Sequence, residues 1–140
     1  MEQLSELILD HGKFKKYTPL VFIKNNSAEV LKVNLRVVGA CEYGIILYKN
    51  KLGTFNNNGK MIKNWMTFDR VNKKVHPNQK PLNLCKNILE LYKTDGMLVC
   101  DTCMGSGQIV KACKQLGIDC FGFEIDENYF EKAKQNIEEE

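Results

Sequence analysis

The feature that most constrains this chain is the strict alternation of patterns from Pro81 to its end. Pro81 leads into a helix-periodic run from about Asn83 to Lys93, and Met97-Leu-Val-Cys100 then reads as a strand. A glycine turn follows, and Gln108 to Leu116 reads as a second helix, stopped by Gly117. Cys120-Phe-Gly-Phe123 is a second strand, and a third helix starts near Asp126, whose side chain is placed to cap it. Strand, helix, strand in this succession is a βαβ unit, whose helical crossover makes the two strands parallel. The fold class is therefore α/β with a parallel sheet.

The rest of the chain is less regular. Leu4, Leu7 and Ile8 stand at helical spacing before Gly12, and Leu20-Val-Phe-Ile23 and Tyr43-Gly-Ile-Ile-Leu-Tyr48 are strand-like runs, so residues 1–48 read as helix, strand, strand. Residues 49–77 are rich in Asn, Gly and Lys, interleaved with Phe55, Trp65 and Phe68, and read as one long loop. Residues 78–140 complete a single domain of 140 residues, a size that folds around one core. No run approaches the roughly 18–20 apolar residues of a membrane span, and Met-Glu-Gln-Leu-Ser-Glu at the N-terminus lacks a basic-then-apolar signal. The expectation is a cytoplasmic protein without membrane association, its six cysteines free thiols.

Charge is distributed unevenly. The net +3 combines 18 basic and 9 acidic residues over 1–118 with 2 basic and 8 acidic over 119–140. From Lys49 to Lys86 nine Lys or Arg accompany one acid, Asp69. Such a segment attracts polyanions, and its Trp65, Phe55 and Phe68 could stack on bases. Lys63, Trp65, Arg70, Lys73 and Lys74 are the candidate nucleic-acid contacts.

The small-molecule chemistry starts at Asp101-Thr-Cys-Met-Gly105-Ser-Gly107. A strand ending in an acid, then two glycines opening a helix, lets a ligand approach the backbone closely, beside the unpaired N–H groups of the helix N-terminus. Glu124 ends the next strand 17 positions after Gly107, near the roughly 20-residue offset at which an acid reaches ribose hydroxyls. The pair points to a nucleoside cofactor.

Three motifs then occur in order within 51 positions: His76-Pro-Asn-Gln-Lys-Pro81, Asp101-Thr-Cys-Met-Gly-Ser-Gly107 and Gly122-Phe-Glu-Ile-Asp126. They resemble the His-Pro-Thr-Gln-Lys-Pro, Asp-Pro-Phe-Met-Gly-Ser-Gly and Gly-Ile-Glu-Ile-Asp elements of the DNA methyltransferases that modify adenine N6 or cytosine N4, in the permuted order with the cofactor half last. The resemblance implies an incomplete Rossmann-like fold ending in the βαβ cofactor unit, S-adenosylmethionine as cofactor and double-stranded DNA as substrate. It implies that Asp101, Gly105, Ser106 and Gly107 surround the cofactor, that Glu124 accepts both ribose hydroxyls, and that Asn78 and Lys80 lie near its carboxylate. It also implies that the basic segment corresponds in position to the target-recognition region.

The sequence departs from the family pattern at Thr102 and Cys103, where Pro and Phe are usual, and at Asn78, where Thr is usual. The glycines and both acids are retained. A larger departure is the absence of the family's catalytic Asp/Asn/Ser-Pro-Pro-aromatic element: Pro19, Pro77 and Pro81 are all isolated. In the family that element precedes the helix that Glu2–Asp10 resembles, so no catalytic residue is assigned within this chain. The expectation is one half of a split methyltransferase completed by a second polypeptide; the alternative is a non-catalytic remnant that holds cofactor or DNA. Cys100 and Cys103 have a Cys-x-x-Cys spacing, but a single such pair makes a weak zinc signature, and strand register assigns Cys100 to the core, so no metal is expected. His76 reads as a structural hydrogen-bonder at the start of its motif.

Overall fold

A computed structural model describes residues 14, 16–27, 30–49, 56–72 and 74–139. The helix expected at Glu2–Asp10, along with Phe55 and Lys73, lies outside the described residues.

The C-terminal alternation folds as expected. Helix α1 spans Leu82–Tyr92, β6 Leu98–Asp101, α2 Gln108–Leu116, β7 Asp119–Gly122 and α3 Glu127–Glu138. The two strands pair in parallel, Leu98 opposite Asp119 through Asp101 opposite Gly122. Helix α2 stops at Gly117 because that residue turns left-handed, at φ 64°. The N–H groups of Gly117 and Ile118 then donate back to the carbonyls of Lys114 and Cys113, which leaves neither carbonyl orphaned at the helix end. Asp126 caps α3 through a 3.0 Å bond from the Tyr129 N–H to its Oδ1. Asp126→Ala should therefore cost about 1 kcal/mol, read as a small fall in melting temperature.

The core lies between the helices and one face of β6–β7. Cys85 and Leu89 of α1 meet Ala112 and Cys113 of α2 together with Ile118, and Val99 and Cys120 pack onto them from the strands. Ala112, Cys113 and Ala133 have no exposed surface, so small side chains set the close approach of the helices. Burial pushes the Cys113 thiol up to about 12 and the Cys85 thiol up to about 11, so both are inert protonated thiols at neutral pH.

The opposite face of β6–β7 is uncovered among the described residues. Leu98 and Phe121 are 61% and 58% exposed, Phe123 is similar and Ile125 wholly exposed. Cys100 shares that face and is exposed, which corrects its expected place in the core. The strand alternates as its sequence implies, but α1 and α2 cover only the face bearing Val99 and Cys120.

The N-terminal part forms a separate three-stranded sheet in the order β4-β1-β5. Strand β1 covers Lys16–Lys24 and pairs antiparallel with β4, Cys41–Tyr48. Strand β1 extends further back than its apolar run implied, through Pro19. Its second neighbour pairs only from Val21 to Lys24, so at Pro19 the missing N–H leaves no gap on that side. That neighbour, β5 at Trp65–Phe68, corrects the reading of residues 49–77 as one loop: it runs parallel to β1. Its Met66 and Phe68 turn inward and Trp65 and Thr67 outward, an alternation too brief to stand out among polar residues. Between β1 and β4 the expected helix–strand–strand order also missed a small hairpin, β2 at Val30–Lys32 and β3 at Val37–Val38. No helix among the described residues is long and apolar enough to cross a membrane.

Candidate functional site

The turn after β6 is tied down residue by residue. Phe123 N–H donates to the Asp101 carbonyl at 2.8 Å and Met104 N–H to the Phe123 carbonyl at 2.9 Å, extending the strand pairing beyond the strands. Asp101 Oδ1 accepts the Cys103 N–H at 3.2 Å, closing a local turn. Gly105 and Gly107 follow with φ of 53° and 74°, the left-handed region that glycine enters without strain. Gly122 must also be small, since a Cβ there would come within 2.6 Å of Met104 Sδ and 2.7 Å of Val110 Cγ2.

Glu124 is held where this turn meets the end of β7. Its Oε2 accepts the Gly105 N–H at 2.9 Å and its Oε1 accepts the Asp126 N–H at 3.1 Å. The N–H of Asp126, chiefly, holds the carboxyl below its ordinary range; desolvation opposes it, and the N–H groups of Gly105 and Ile125 keep the net downward. The side chain is thus a fixed, ionised acceptor with lone pairs to spare on both oxygens.

Beside it lies a cavity of about 320 Å³, at the lower end of the range for small-molecule sites. Asn78, Lys80, Asp101, Gly105 and Ser106 of the expected cofactor set line its wall. Glu124 is not among the lining residues and touches the wall through Gly105. Gly107 does not: it is buried against α3, where a Cβ would lie 2.8 Å from Ile137 Cδ1 and 3.3 Å from Ala133 Cβ. Its smallness therefore serves helix packing. Ser106 is also buried, and its carbonyl accepts the Asn136 amide across the same contact at 2.6 Å.

The motif 76–81 forms the other wall and organises itself. His76 Nδ1 accepts the Asn78 N–H at 3.1 Å, Gln79 Oε1 accepts the Val75 N–H at 2.7 Å, and the Gln79 N–H returns to the His76 carbonyl. The His76 ring stands edge-on to Tyr129 of α3, 4.4 Å between centroids, and faces Gly105. The ammonium of Lys80 donates to Glu42 of β4, whose other oxygen pairs with Lys24 of β1 at 3.0 Å. Burial alone would raise the Glu42 carboxyl; the Lys80 and Lys24 ammoniums outweigh it, and the net is downward. Glu42 was not singled out in the sequence. The signal available was that it is the sole acid between Glu29 and Asp69, set inside an otherwise apolar strand.

The candidate nucleic-acid residues separate into two places. Lys63 lies over the Trp65 ring, 4.5 Å from its centroid, and Trp65 is 41% exposed at the start of β5. Arg70 and Lys74 follow the other end of β5 and share the walls of two cavities.

The model of the N6/N4 DNA methylase family matches residues 12–135, nearly the whole chain. The chain belongs to the DNA amino-methyltransferase family. A stretch of 69 residues of this chain is 35% identical to the type II methyltransferase M.HpaI of Haemophilus parainfluenzae, spanning 49% of the chain and 22% of that relative. Among solved structures it is similar to the M1.HpyAVI–SAM complex, with 26% identity, a TM-score of 0.78, and coverage of 96% of this chain and 68% of that one. The cytosine-N4-specific PvuII DNA methyltransferase shares the fold at 15% identity and a TM-score of 0.82, with 96% of this chain aligned to 55% of that one. This chain therefore spans only part of those relatives, and its α/β architecture is the Rossmann-like one they share.

Proposed function

We propose that this chain is the cofactor-binding half of a cytoplasmic methyltransferase acting on an exocyclic amino group of a base in double-stranded DNA. The observation that carries this reading is Glu124, ionised and pinned by two backbone N–H groups at the mouth of a glycine turn, beside a cavity of suitable size. A carboxylate so oriented is matched to a vicinal diol, and the adjoining wall of Phe22, Leu84, Ile88 and Ile109 suits an apolar ring. The residues present thus fit S-adenosylmethionine.

When bound, that cofactor supplies a sulfonium methyl group to a nucleophilic nitrogen. The chain's own residues bind and orient. Glu124 would hold the ribose, the turn Asp101–Ser106 the flanks of the nucleoside, and Asn78 and Lys80 the methionine end. Lys80 is shared with Glu42, so it can serve a carboxylate while keeping a compensating charge on its other side. Fixing the donor in this way removes translational and orientational freedom from the reaction, the largest contribution a binding half can make.

The catalytic Pro-Pro element would come from a further polypeptide segment, contiguous with this chain or separate. Three observations support such a segment. Strand β4 pairs only with β1, and β6 only with β7, among the described residues, so each presents an open edge. The face bearing Leu98, Phe121, Phe123 and Ile125 is apolar and uncovered among the described residues. The two sheets are not hydrogen-bonded to each other among the described residues, yet Phe22 and Glu42 of one line the same cavity as Asp101 of the other and Met104 to Ser106 of the turn after it.

A transfer assay with tritiated methyl donor and duplex DNA tests the proposal, with the chain alone and with a polypeptide carrying the Pro-Pro element. Methyl incorporation only in the mixture is expected. Cofactor binding without incorporation in any mixture would instead select a non-catalytic cofactor-binding remnant.

A further inference from the structure

We infer that the cleft beyond the C-terminal end of β5 is a phosphodiester site for one DNA strand, divided from the cofactor cavity by the ion pairs of Glu42. It rests on the proposed function only for the identity of the polyanion.

The cleft is a cavity of about 290 Å³ between the end of β1, the segment after β5 and the 76–81 motif. Lys24, Arg70, Lys74 and Lys80 stand in its walls, and Glu42 is the lone carboxylate among them. Glu42 is already engaged by Lys24 at 3.0 Å and by Lys80. Arg70 and Lys74 therefore face the space with no carboxylate in ion-pair range among the described residues. Asp69, next in sequence to Arg70, takes an amide hydrogen bond from Asn25 at 3.2 Å and does not line the cleft. Positive charge concentrated in this way between low-dielectric walls focuses the field on an incoming anion.

The main chain that carries Arg70 and the ammonium of Lys74 are also anchored before any ligand arrives. The Arg70 N–H donates to Asn26 Oδ1 at 2.8 Å, and the Asn25 N–H to the Phe68 carbonyl at 2.9 Å, so the turn after β1 anchors the segment after β5. The Lys74 ammonium donates to the Pro77 carbonyl at 2.9 Å, which fixes its position and leaves two of its three N–H bonds for an anion.

An extended polyanion fits better than a single small anion. A second cavity, of about 510 Å³, adjoins the first and shares Arg70, Val71 and Lys74 with it, with Asn26 and Asn72 in its wall. One pair of cations thus serves two neighbouring spaces, as successive phosphates of a strand require. Glu42, Asn78, Gln79 and Lys80 line both the first cleft and the cofactor cavity. A strand held here passes directly beside the methyl donor's site. Glu42 keeps the two regions apart by satisfying Lys24 on one side and Lys80 on the other.

The test uses the full chain and a labelled DNA duplex, with fluorescence anisotropy over a series of salt concentrations. Arg70→Gln/Lys74→Gln should weaken binding at least tenfold near 0.1 M salt and reduce the slope of log K against log salt by about 2, roughly one for each cation replaced. A control of equal charge, Lys114→Gln/Lys132→Gln on α2 and α3, should leave the slope within about half a unit. Calorimetric titration with S-adenosylmethionine should give the same affinity for wild type and both variants. The cleft is refuted if the Arg70/Lys74 variant keeps the wild-type slope, if the control weakens as much, or if the wild-type chain shows no salt-dependent duplex binding. A wild-type chain that binds duplex through these residues but binds no cofactor would overturn the proposed function and leave the cleft standing.

Discussion

Replacing Glu124 by alanine lowers the affinity for S-adenosylmethionine by about a hundredfold or more, measured by calorimetric titration into the purified chain. Two losses combine. The ribose diol loses its charged acceptor, and the N–H groups of Gly105 and Asp126 lose the carboxylate that holds the turn in shape. Glu124→Gln is nearly as severe, because an amide presents one oxygen and one NH2 where two N–H donors converge. The pH dependence follows from the direction of the shift. Glu124 lies below its ordinary range, so the binding-competent charge persists through and beneath the pH at which a free glutamate protonates, about 4.3. Affinity should stay level from neutral pH to about 5 and decline only in stronger acid. Full-strength binding by Glu124→Ala would remove the cofactor assignment.

Gly107→Ala destabilises the fold more than Gly105→Ala does, by about 2–5 kcal/mol against about 1–2 kcal/mol. Both residues are left-handed, so each alanine carries the backbone strain. Only at Gly107 does the new methyl also collide, 2.8 Å from Ile137 Cδ1; at Gly105 its nearest neighbour is the His76 ring at an ordinary 3.5 Å. Thermal melts should show a fall of about 6–12 °C for Gly107→Ala and a few degrees for Gly105→Ala. Ile137→Ala combined with Gly107→Ala should cost less than the sum of the two single changes, since it removes the colliding atoms. Equal melting temperatures for the two glycine variants would show that helix packing is not what keeps Gly107 small.

How much of this was legible in advance depended on whether the cause lay near in sequence. The C-terminal helices and strands were, because their signals are local: Gly117 stops α2, Asp126 caps α3, and apolar spacing marks the strands to within a residue or two. Glu124 and the glycine turn stood out for the same reason. Strand β5 did not, because four residues show an alternation only once β1 is there to pair with them. The Lys24–Glu42–Lys80 cluster was hidden because its members come from β1, β4 and a loop, up to 56 positions apart. The exposure of Cys100 is not legible in the sequence, because register gives the two faces of a strand but not which of them a helix covers. The motif alone places Gly107 at the cofactor, whereas its position against Ile137 depends on where α3 docks.

The surface around Leu98, Phe121, Phe123 and Ile125, uncovered among the described residues, would link this chain's stability to whatever segment covers it. Any segment that binds the folded chain there and ignores the unfolded one raises stability by mass action, about 2.7 kcal/mol at a hundredfold excess over its dissociation constant. The same surface without such a segment is a target for self-association and for cellular proteases that act on incompletely closed proteins. Were that segment a separate polypeptide, abundance would track the rate at which it is synthesised, so that the unmatched portion of the population is cleared and stoichiometry maintains itself.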